Sequence, residues 1–398
     1  MKFDKYKLSK EILENLNHLG FLKTTDIQFK AIEPILKGED VLAIAQTGTG
    51  KTAAFVIPIV QYLQFNTKNN YIKCVVLAPT RELAMQITQV FNSIAKNTKV
   101  KTVCITGGVE QDPQIARLKN GVDVLIATPG RVFDLVSQGY INLKSVEILV
   151  LDEADHMLNL GFINDIKDIL KLVPFKRQTL FFSATINEKI KKIAYQIVRN
   201  PIRIQISPHN PVAKNIHHTV AFVEMDDKRF FLERLIHENP ESKILVFVRT
   251  KVRAERVSSA MSRVSIIAKT IHGDKDQKDR LSVLEEFKKG DLKILIATDV
   301  TSRGIDIPNV DFVVNYDLPE QAENYVHRVG RTGRAHNKGE AVSFCSNEEK
   351  YLLNEIEKNI GHEIEKLKIY KKDYQETLDF SSDESQNDWK SLLEEEDL

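Results

Sequence analysis

Short apolar runs rich in β-branched residues recur along this chain, with helix-patterned stretches between them, and this alternation restricts the fold more than any other feature. In the first half the runs are Val41–Ala45, Cys74–Ala78, Val100–Ile105, Val122–Ala127, Ile148–Leu151 and Thr179–Phe182. In the second half they are Lys243–Val248, Val264–Ala268, Lys293–Ala297, Phe312–Asn315 and Ala341–Cys345. Short apolar strands separated by helices form βαβ units, and βαβ units build parallel sheets covered on both faces. The expected class is α/β. Eleven strands are too many for one sheet, and the natural break is SPHNPVAKN, which has two prolines and no apolar pattern. The expected organisation is a first domain over 1–206, a linker over 207–215, a second domain over 216–365 and a charged tail over 366–398. Ahead of the first strand, Leu8, Ile12, Leu16 and Leu19 predict an amphipathic helix over 8–20, capped by Ser9 and stopped by Gly20.

Composition narrows the class further. Hydrophobic residues are 42 % and charged residues 28 % of the 398, which excludes global disorder. The longest apolar run, Ala53 to Val60, contains a proline and is far short of the roughly 20 residues of a membrane helix. The N-terminus MKFDKYKLSK has no apolar segment of a secretory signal. Cys74, Cys104 and Cys345 are odd in number, widely spaced and set in apolar runs, so they read as buried reduced thiols in a cytoplasmic protein. The net charge of +1 conceals an asymmetry: residues 373–398 carry −9, leaving +10 for residues 1–372. A basic body suits a polyanionic partner, and an acidic end reads as a solvated tail.

AQTGTGKT, Ala45 to Thr52, follows the strand VLAIA and precedes the helical TAAFVIPIVQYL. Its glycines let backbone N–H groups turn toward a phosphate at a helix N-terminus. Lys51 can reach β- and γ-phosphates, and the Thr52 hydroxyl can ligate Mg²⁺. Gln46, Thr47, Gly48, Thr49 and Gly50 complete the loop. About 100 residues later, EILVLDEAD ends an apolar strand on carboxylates. Asp152 is placed to hold Mg²⁺ through water and Glu153 to orient and deprotonate an attacking water. The second half has no G-K-[ST], so the expectation is one ATP per chain. It offers arginines instead: Arg303, then Arg328, Arg331 and Arg334 at i, i+3, i+6, read either as a solvated basic face or as fingers for a γ-phosphate.

Taken in order, these motifs resemble the DEAD-box RNA helicases of superfamily two over about residues 3–360. Phe3 and GFLKTTDIQ (20–28) resemble the adenine-reading Q motif, AQTGTGKT motif I, APTRELA (78–84) motif Ia, Gly107–Gly108 the GG element and TPGR (128–131) motif Ib. DEAD is 152–155 and SAT 183–185; LVFVRT (245–250) resembles motif IV, Gln277 and Arg280 its Q-x-x-R companion, TDVTSRGID (298–306) motif V and HRVGRTGR (327–334) motif VI. HGDKDQ and NYDLPEQAENYVHRVGRTGRA look most like the bacterial RhlE branch.

The resemblance implies two tandem RecA-like domains joined by a flexible linker and using ATP and Mg²⁺; the acidic composition makes the tail a disordered end. It implies that Phe21 stacks on adenine, that Gln28 bonds its edge and that Asp306 takes the ribose hydroxyls. It makes Arg331 and Arg334 the fingers. It implies that Ser183 and Thr185 link Asp155 to His327. Pro79, Thr80, Arg81, Gly108, Thr128, Gly130, Arg131, Thr250, Arg280 and Thr298 would line an RNA track read through backbone contacts, hence without sequence preference. The implied activity is ATP-coupled local unwinding of RNA duplexes; the rival readings are an ATP-gated RNA clamp and a DNA-directed motor. Partners in ribosome assembly or RNA decay fit, and a membrane does not.

Two departures stand out. Thr24 and Asp26 occupy the positions of the usual Q-motif prolines, which leads us to expect a looser loop. Thr301 and Ser302 stand where small alanines are common. His156 reads as a helix-face histidine rather than a metal ligand, His217–His218 as a strand start, Phe181–Phe182 as core strand and Trp389 as part of an unstructured end.

Overall fold

The computed structural model describes residues 1–46, 48–66, 71–185, 188–206, 212, 215–299, 310–333 and 338–381. The described residues through 206 form one compact unit and those from 212 onward a second. Most of the expected 207–215 linker, Trp389, Thr301, Ser302 and Arg303 lie outside the described residues.

The first unit carries seven strands: β1 Val41–Ala45, β2 Cys74–Leu77, β3 Thr102–Ile105, β4 Val124–Ala127, β5 Ile148–Leu151, β6 Gln178–Ser183 and β7 Ile202–Ile206. They run parallel in the order β3-β4-β2-β5-β6-β1-β7. The second unit carries β8 Ile216–Phe222, β9 Ile244–Val248, β10 Ala268–Ile271, β11 Ile294–Thr298, β12 Phe312–Asn315, β13 Gly339–Cys345 and β14 Glu365–Lys366. These are also parallel, in the order β10-β11-β9-β12-β13-β8-β14. Subtracting seven from each label turns the second order into the first, so one topology is used twice.

Alternation along each strand explains why both faces are buried. In β1, Val41, Ala43 and Ala45 point into one apolar cluster and Leu42 into the other. Phe182 joins the first cluster, beside Phe55 and Phe91, and Phe181 the second. The aromatic pair is therefore core, as its place in a continuous apolar run predicts.

The structure differs from the sequence pattern in five places. The first helix is Lys10–His18, with Ser9 Oγ accepting the Ile12 N–H at 3.5 Å, behind a 3₁₀ turn at Phe3–Tyr6. The expected strand at Val264–Ala268 is displaced: the helix Lys251–Arg263 runs into it, Ser265 takes φ +61°, and β10 starts only at Ala268. Strands β7 and β14 escape the pattern, as in IRIQI, where polar residues interrupt it; of β8, IHHTVAF, only the start read at His217–His218 is marked. The segment from 366, expected as unpatterned tail, contains the helix Lys371–Asp379. It is anchored by Tyr374 against Phe231 (ring centroids 5.0 Å), by Arg234 Nη1 donating to Thr377 Oγ1 (2.6 Å) and by Phe380 on His237. Cys74 and Cys345 are buried free thiols, whereas Cys104 is only half-buried. No helix of the described residues is long and apolar enough to cross a membrane.

Candidate functional site

Every βα turn leaves the same end of its sheet, the carboxyl end, where open α/β sheets bind ligands. The candidate residues gather there, and the sheet order sorts them. Of those read as nucleotide-binding or catalytic in the first unit, the phosphate loop follows β1 and Asp152 and Glu153 follow β5, while Phe21 and Gln28 precede β1; the coupling residues Ser183 and Thr185 stand at the end of β6. Those read as RNA-binding follow β2, β3 and β4, and in the second unit β9, β10 and β11.

The phosphate loop runs from Gln46 into the helix Lys51–Leu63. Gly48 and Gly50 have φ +80° and +92°, a region closed to most side chains. A Cβ on Gly50 would lie 2.6 Å from Gln28 Nε2 and would push that amide aside. Thr49 Oγ1 donates to Gln46 O at 2.7 Å, and Lys51 Nζ donates to Ala45 O at 2.8 Å, which folds the lysine back over the loop. Thr52, half-buried, is the next residue of the helix. Thr47 lies outside the described residues.

Gln28 is tied at both ends of its amide. Its Oε1 accepts the Thr25 N–H at 3.0 Å, which caps the helix Asp26–Leu36, and its Nε2 donates to Gly50 O at 3.3 Å. This capping box orders the entry that prolines would otherwise fix, with Asp26 in the first turn where its charge suits the helix dipole. Thr24 N and Oγ1 both donate to Met1 O, at 2.9 and 3.3 Å. The loop expected to be loose is thus held by hydrogen bonds. Phe21, half-buried, packs its ring on the core beside it.

Asp152 and Glu153 sit just past β5, 2 % and 6 % exposed. Asp152 Oδ1 accepts the Glu153 N–H at 3.0 Å. Burial pushes the Asp152 acid up to about 7; Lys51 pulls it down and Glu153 pushes it up. The Asp152 carboxylate and the Thr52 hydroxyl are oxygen donors of the hard kind that Mg²⁺ prefers. Glu153 has φ +49° and ψ +49°, left-handed for a residue with a full side chain. Such strain persists only where the surroundings enforce it, and it concentrates at working sites. His156 Nδ1 lies 3.6 Å from Glu153 Oε2, in the short helix Ala154–Asn159, and no cluster of three potential metal ligands exists among the described residues.

The end of the DEAD string is tied to SAT. Asp155 Oδ2 accepts Thr185 N–H at 3.1 Å and Thr185 Oγ1–H at 2.9 Å, while Ser183 Oγ donates to Thr185 O at 2.6 Å. The carboxylate cluster after β5 is therefore linked to the exit of β6.

The candidate RNA residues of the first unit converge on one loop. Thr80 Oγ1 caps the helix Arg81–Ile94 by accepting Leu83 N–H, after Pro79. Arg81 Nη1 donates to Gly108 O at 3.4 Å, and a Cβ on Gly108 would collide with that guanidinium. Arg131 Nη2 donates to Val109 O at 3.0 Å from the helix Pro129–Ser137, which Thr128 and Gly130 begin. Gln114, which sequence reading passed over, pins the base of this loop: its amide pairs with both N–H and C=O of Thr106. Only its position in an amphipathic helix hinted at this. In the second unit Thr250 Oγ1 caps its helix at Arg253 N–H with φ −128° and ψ +157°, against −129° and +157° for Thr80. Arg280 is buried with Nη1 on Gln277 Oε1 at 3.3 Å, and Thr298 ends β11.

Arg328 and Arg331 of HRVGRTGR are both buried, so they are not a solvated basic face. Arg328 is buried and holds Asp299 through Nε (2.6 Å) and Nη2 (2.8 Å), and Asn315 Oδ1 and Asp317 O through Nη1. It stitches β11, β12 and the helix Ala322–Val329 together and is committed to that. Its partner Asp299 was missed in the sequence, though it directly follows Thr298. Arg331 is buried, with Nε donating to His327 O at 3.2 Å. Arg334 and Asp306 lie outside the described residues.

Known proteins carry the same arrangement. The DEAD/DEAH box helicase family profile matches residues 25–193, and the helicase conserved C-terminal domain profile matches residues 227–336. The DEAD-box ATP-dependent RNA helicase CshA of Geobacillus kaustophilus is 42 % identical over 92 % of this chain and 78 % of its own length. The ATP-dependent RNA helicase RhlB of Shewanella pealeana is 41 % identical over 91 % of this chain and 85 % of its own. Among solved structures, S. cerevisiae Dbp5 bound to RNA and ADP BeF3 superposes with a TM-score of 0.83 at 31 % identity, covering 92 % of this chain and 95 % of that one. Mss116p bound to ssRNA and AMP-PNP gives 0.85 at 30 % identity, covering 96 % and 82 %. With its two RecA-like sheets, its phosphate loop and its linked DEAD and SAT strings, the chain belongs to the DEAD-box family of ATP-dependent RNA helicases.

Proposed function

We propose that this helicase binds ATP at the β1 loop, holds single-stranded RNA through the residues after β2–β4 and β9–β11, and opens short duplexes locally as ATP is hydrolysed. Lys51 and the loop N–H groups take the phosphates. Glu153 orients the attacking water and accepts its proton at the carboxylate. Mg²⁺, where Asp152 and Thr52 would hold it, supplies charge neutralisation on the phosphate oxygens. Phe21 stacks on the base, and Gln28 carries the state of the nucleotide to the Gly50 carbonyl. Asp155, Ser183 and Thr185 pass the change after β5 toward His327, and Arg331 with Arg334 answers the γ-phosphate. Asp306 takes the ribose. RNA bound mostly by phosphate and sugar is held regardless of sequence.

The observation that supports this reading most is Glu153: a carboxylate kept in a strained left-handed conformation, one residue from a buried acid facing the phosphate-loop lysine. The test is unwinding of matched RNA and DNA duplexes with ATP, by wild type and Glu153→Gln. The expected result is ATP-dependent opening of RNA that Glu153→Gln loses while still binding nucleotide. RNA binding with no strand opening would assign a clamp instead, and equal opening of DNA a different motor. Cytoplasmic ribosome-assembly or RNA-decay assemblies supply the kind of substrate such a protein acts on.

A further inference from the structure

The topology that places Lys51 after β1 places another lysine after β8. Five residues, Gln46–Gly50, separate β1 from the helix Lys51–Leu63; five residues, Val223–Asp227, separate β8 from the helix Lys228–Glu238. Lysine is the first residue of both helices. The acid after the central strand also recurs. Asp152 N–H donates to Leu77 O, and Asp317 N–H donates to Phe247 O. Leu77 and Phe247 stand three residues before the matched caps Thr80 and Thr250.

The two lysines have different surroundings. Lys228 is 0 % exposed. Its Nζ donates to Tyr316 O at 2.8 Å and to Glu349 Oε2 at 2.5 Å, with Asp317 Oδ1 3.9 Å away. Glu349 in turn has an unusual set of donors. Oε1 accepts Arg249 Nη2–H at 2.8 Å and Leu318 N–H at 3.2 Å. Oε2 accepts Ser346 N–H at 3.2 Å and Ser346 Oγ–H at 3.3 Å, besides the lysine. Two backbone N–H groups, a hydroxyl, a lysine and an arginine converge on one buried carboxylate. That is the donor set by which proteins hold a phosphate-like oxyanion. The loop before Lys228 is closed as well: Tyr374 Oη, from the helix Lys371–Asp379, accepts Glu224 N–H at 3.1 Å and donates to Asp227 Oδ2 at 2.7 Å.

We infer that the second unit contains an oxyanion site at the topological position of the phosphate loop, occupied by the tethered carboxylate of Glu349. The carboxylate takes the oxyanion's part, so no free nucleotide or phosphate competes for Lys228, and the chain binds ATP once. Removing Glu349 exposes an anion site to small oxyanions. Formate replaces the carboxylate itself, and inorganic phosphate replaces what a phosphate loop would hold. This inference does not depend on whether RNA is the substrate.

The experiment uses the full chain in four forms: wild type, Glu349→Ala, Glu349→Ser and the double variant Lys228→Met/Glu349→Ala. Thermal unfolding is followed in sodium formate, in inorganic phosphate and in sodium chloride at matched ionic strength. Glu349→Ala is expected to unfold earlier than wild type in chloride. At about ten times the dissociation constant, formate or phosphate should raise its midpoint by roughly 3–6 °C beyond any wild-type response. The double variant, which lacks the lysine, should lose that gain. Glu349→Ser keeps a small polar side chain and reads the same effect should the alanine variant fold poorly. Should neither fold in chloride, recovery from urea in phosphate but not in chloride carries the same meaning. Equal response of Glu349→Ala and wild type to both anions overturns the inference. So does a nucleotide stoichiometry of two per wild-type chain, measured by titration calorimetry with a non-hydrolysable ATP analogue.

Discussion

Lys51 and Lys228 occupy matching places in the two sheets, and the contrast between them shows what a scaffold leaves undecided. Lys51 folds back onto one carbonyl, Ala45 O, and faces a buried acid whose proton affinity is raised. Lys228 is enclosed by Glu349, Asp317 and Tyr316 O, and burial lowers its proton affinity although both carboxylates oppose that. The first arrangement leaves charge to be matched by a ligand; the second matches it internally. Strand order, loop length and helix start are the same. What differs is the residue following the strand beside the loop: the SAT string after β6, and a carboxylate, Glu349, after β13.

The sharpest break in the comparison is chemical. Glu153→Gln keeps size and hydrogen bonding but removes the base, and should lower RNA-stimulated ATP turnover by about 10²–10⁴-fold, measured as phosphate release. The second unit has no counterpart, so Asp317→Asn should leave nucleotide affinity at the wild-type value, read by titration with an ATP analogue.

Next come the lysines themselves. Lys228→Ala removes the fully buried cation from Glu349 and Asp317, leaving Arg249 and Arg253 beside them, and should cost about 3–5 kcal/mol, read from urea unfolding of the full chain. Lys51→Ala should change stability far less and abolish binding of an ATP analogue. Equal destabilisation by both substitutions would erase the distinction drawn between them.

Asp152 gives the comparison a pH signature. Its folded-state acid is raised from 3.8 to about 7, so the folded protein binds this proton more tightly than the unfolded chain. Its contribution is therefore fully present below about 4 and is lost as pH rises toward 7. Without nucleotide, Asp152→Asn should flatten that decline in unfolding free energy between about pH 4.5 and 7.5. An unchanged slope would place the raised acid elsewhere.

The smallest effect tests sameness. Thr80 and Thr250 cap their helices with nearly identical dihedral angles, so Thr80→Ala and Thr250→Ala should each cost about 1 kcal/mol. A large disparity in thermal unfolding would show that the two caps are equivalent in geometry only.

Much of this was legible in the residues alone. Val41–Ala45, Ile148–Leu151 and Phe312–Asn315 are strands with the bounds their apolar runs mark, because a strand buried on both faces leaves no room for a polar interruption. The phosphate loop and the DEAD acids are legible for a related reason: backbone geometry and charge there admit few residue types. The extent of Ile216–Phe222 is hidden because its partners are remote: His217 bridges Glu340 and Glu365, 123 and 148 residues away in sequence. The commitment of Arg328 to Asp299, Asn315 and Asp317 was hidden likewise. Spacing of i, i+3, i+6 sees one helix face, while burial depends on elements the pattern cannot place. The left-handed Glu153 left no trace in the residue pattern, since non-glycine strain is imposed by packing rather than by the residue.

The position of β1 in its sheet has a consequence for how the protein is made. Val41–Ala45 leaves the ribosome ahead of both its neighbours, β6 and β7, which begin at Gln178 and Ile202. At about 5–20 residues per second, its first neighbour arrives roughly seven to thirty seconds later. Through that interval an apolar strand and the loop behind it wait without partners, and such long-range pairing is slow and prone to association. The second unit repeats the delay, since β8 pairs with β13 and β14. Placing the nucleotide loop at the interior of the first sheet therefore makes its assembly one of the last events in the folding of that unit, and the nascent chain is most exposed to aggregation just before the site exists.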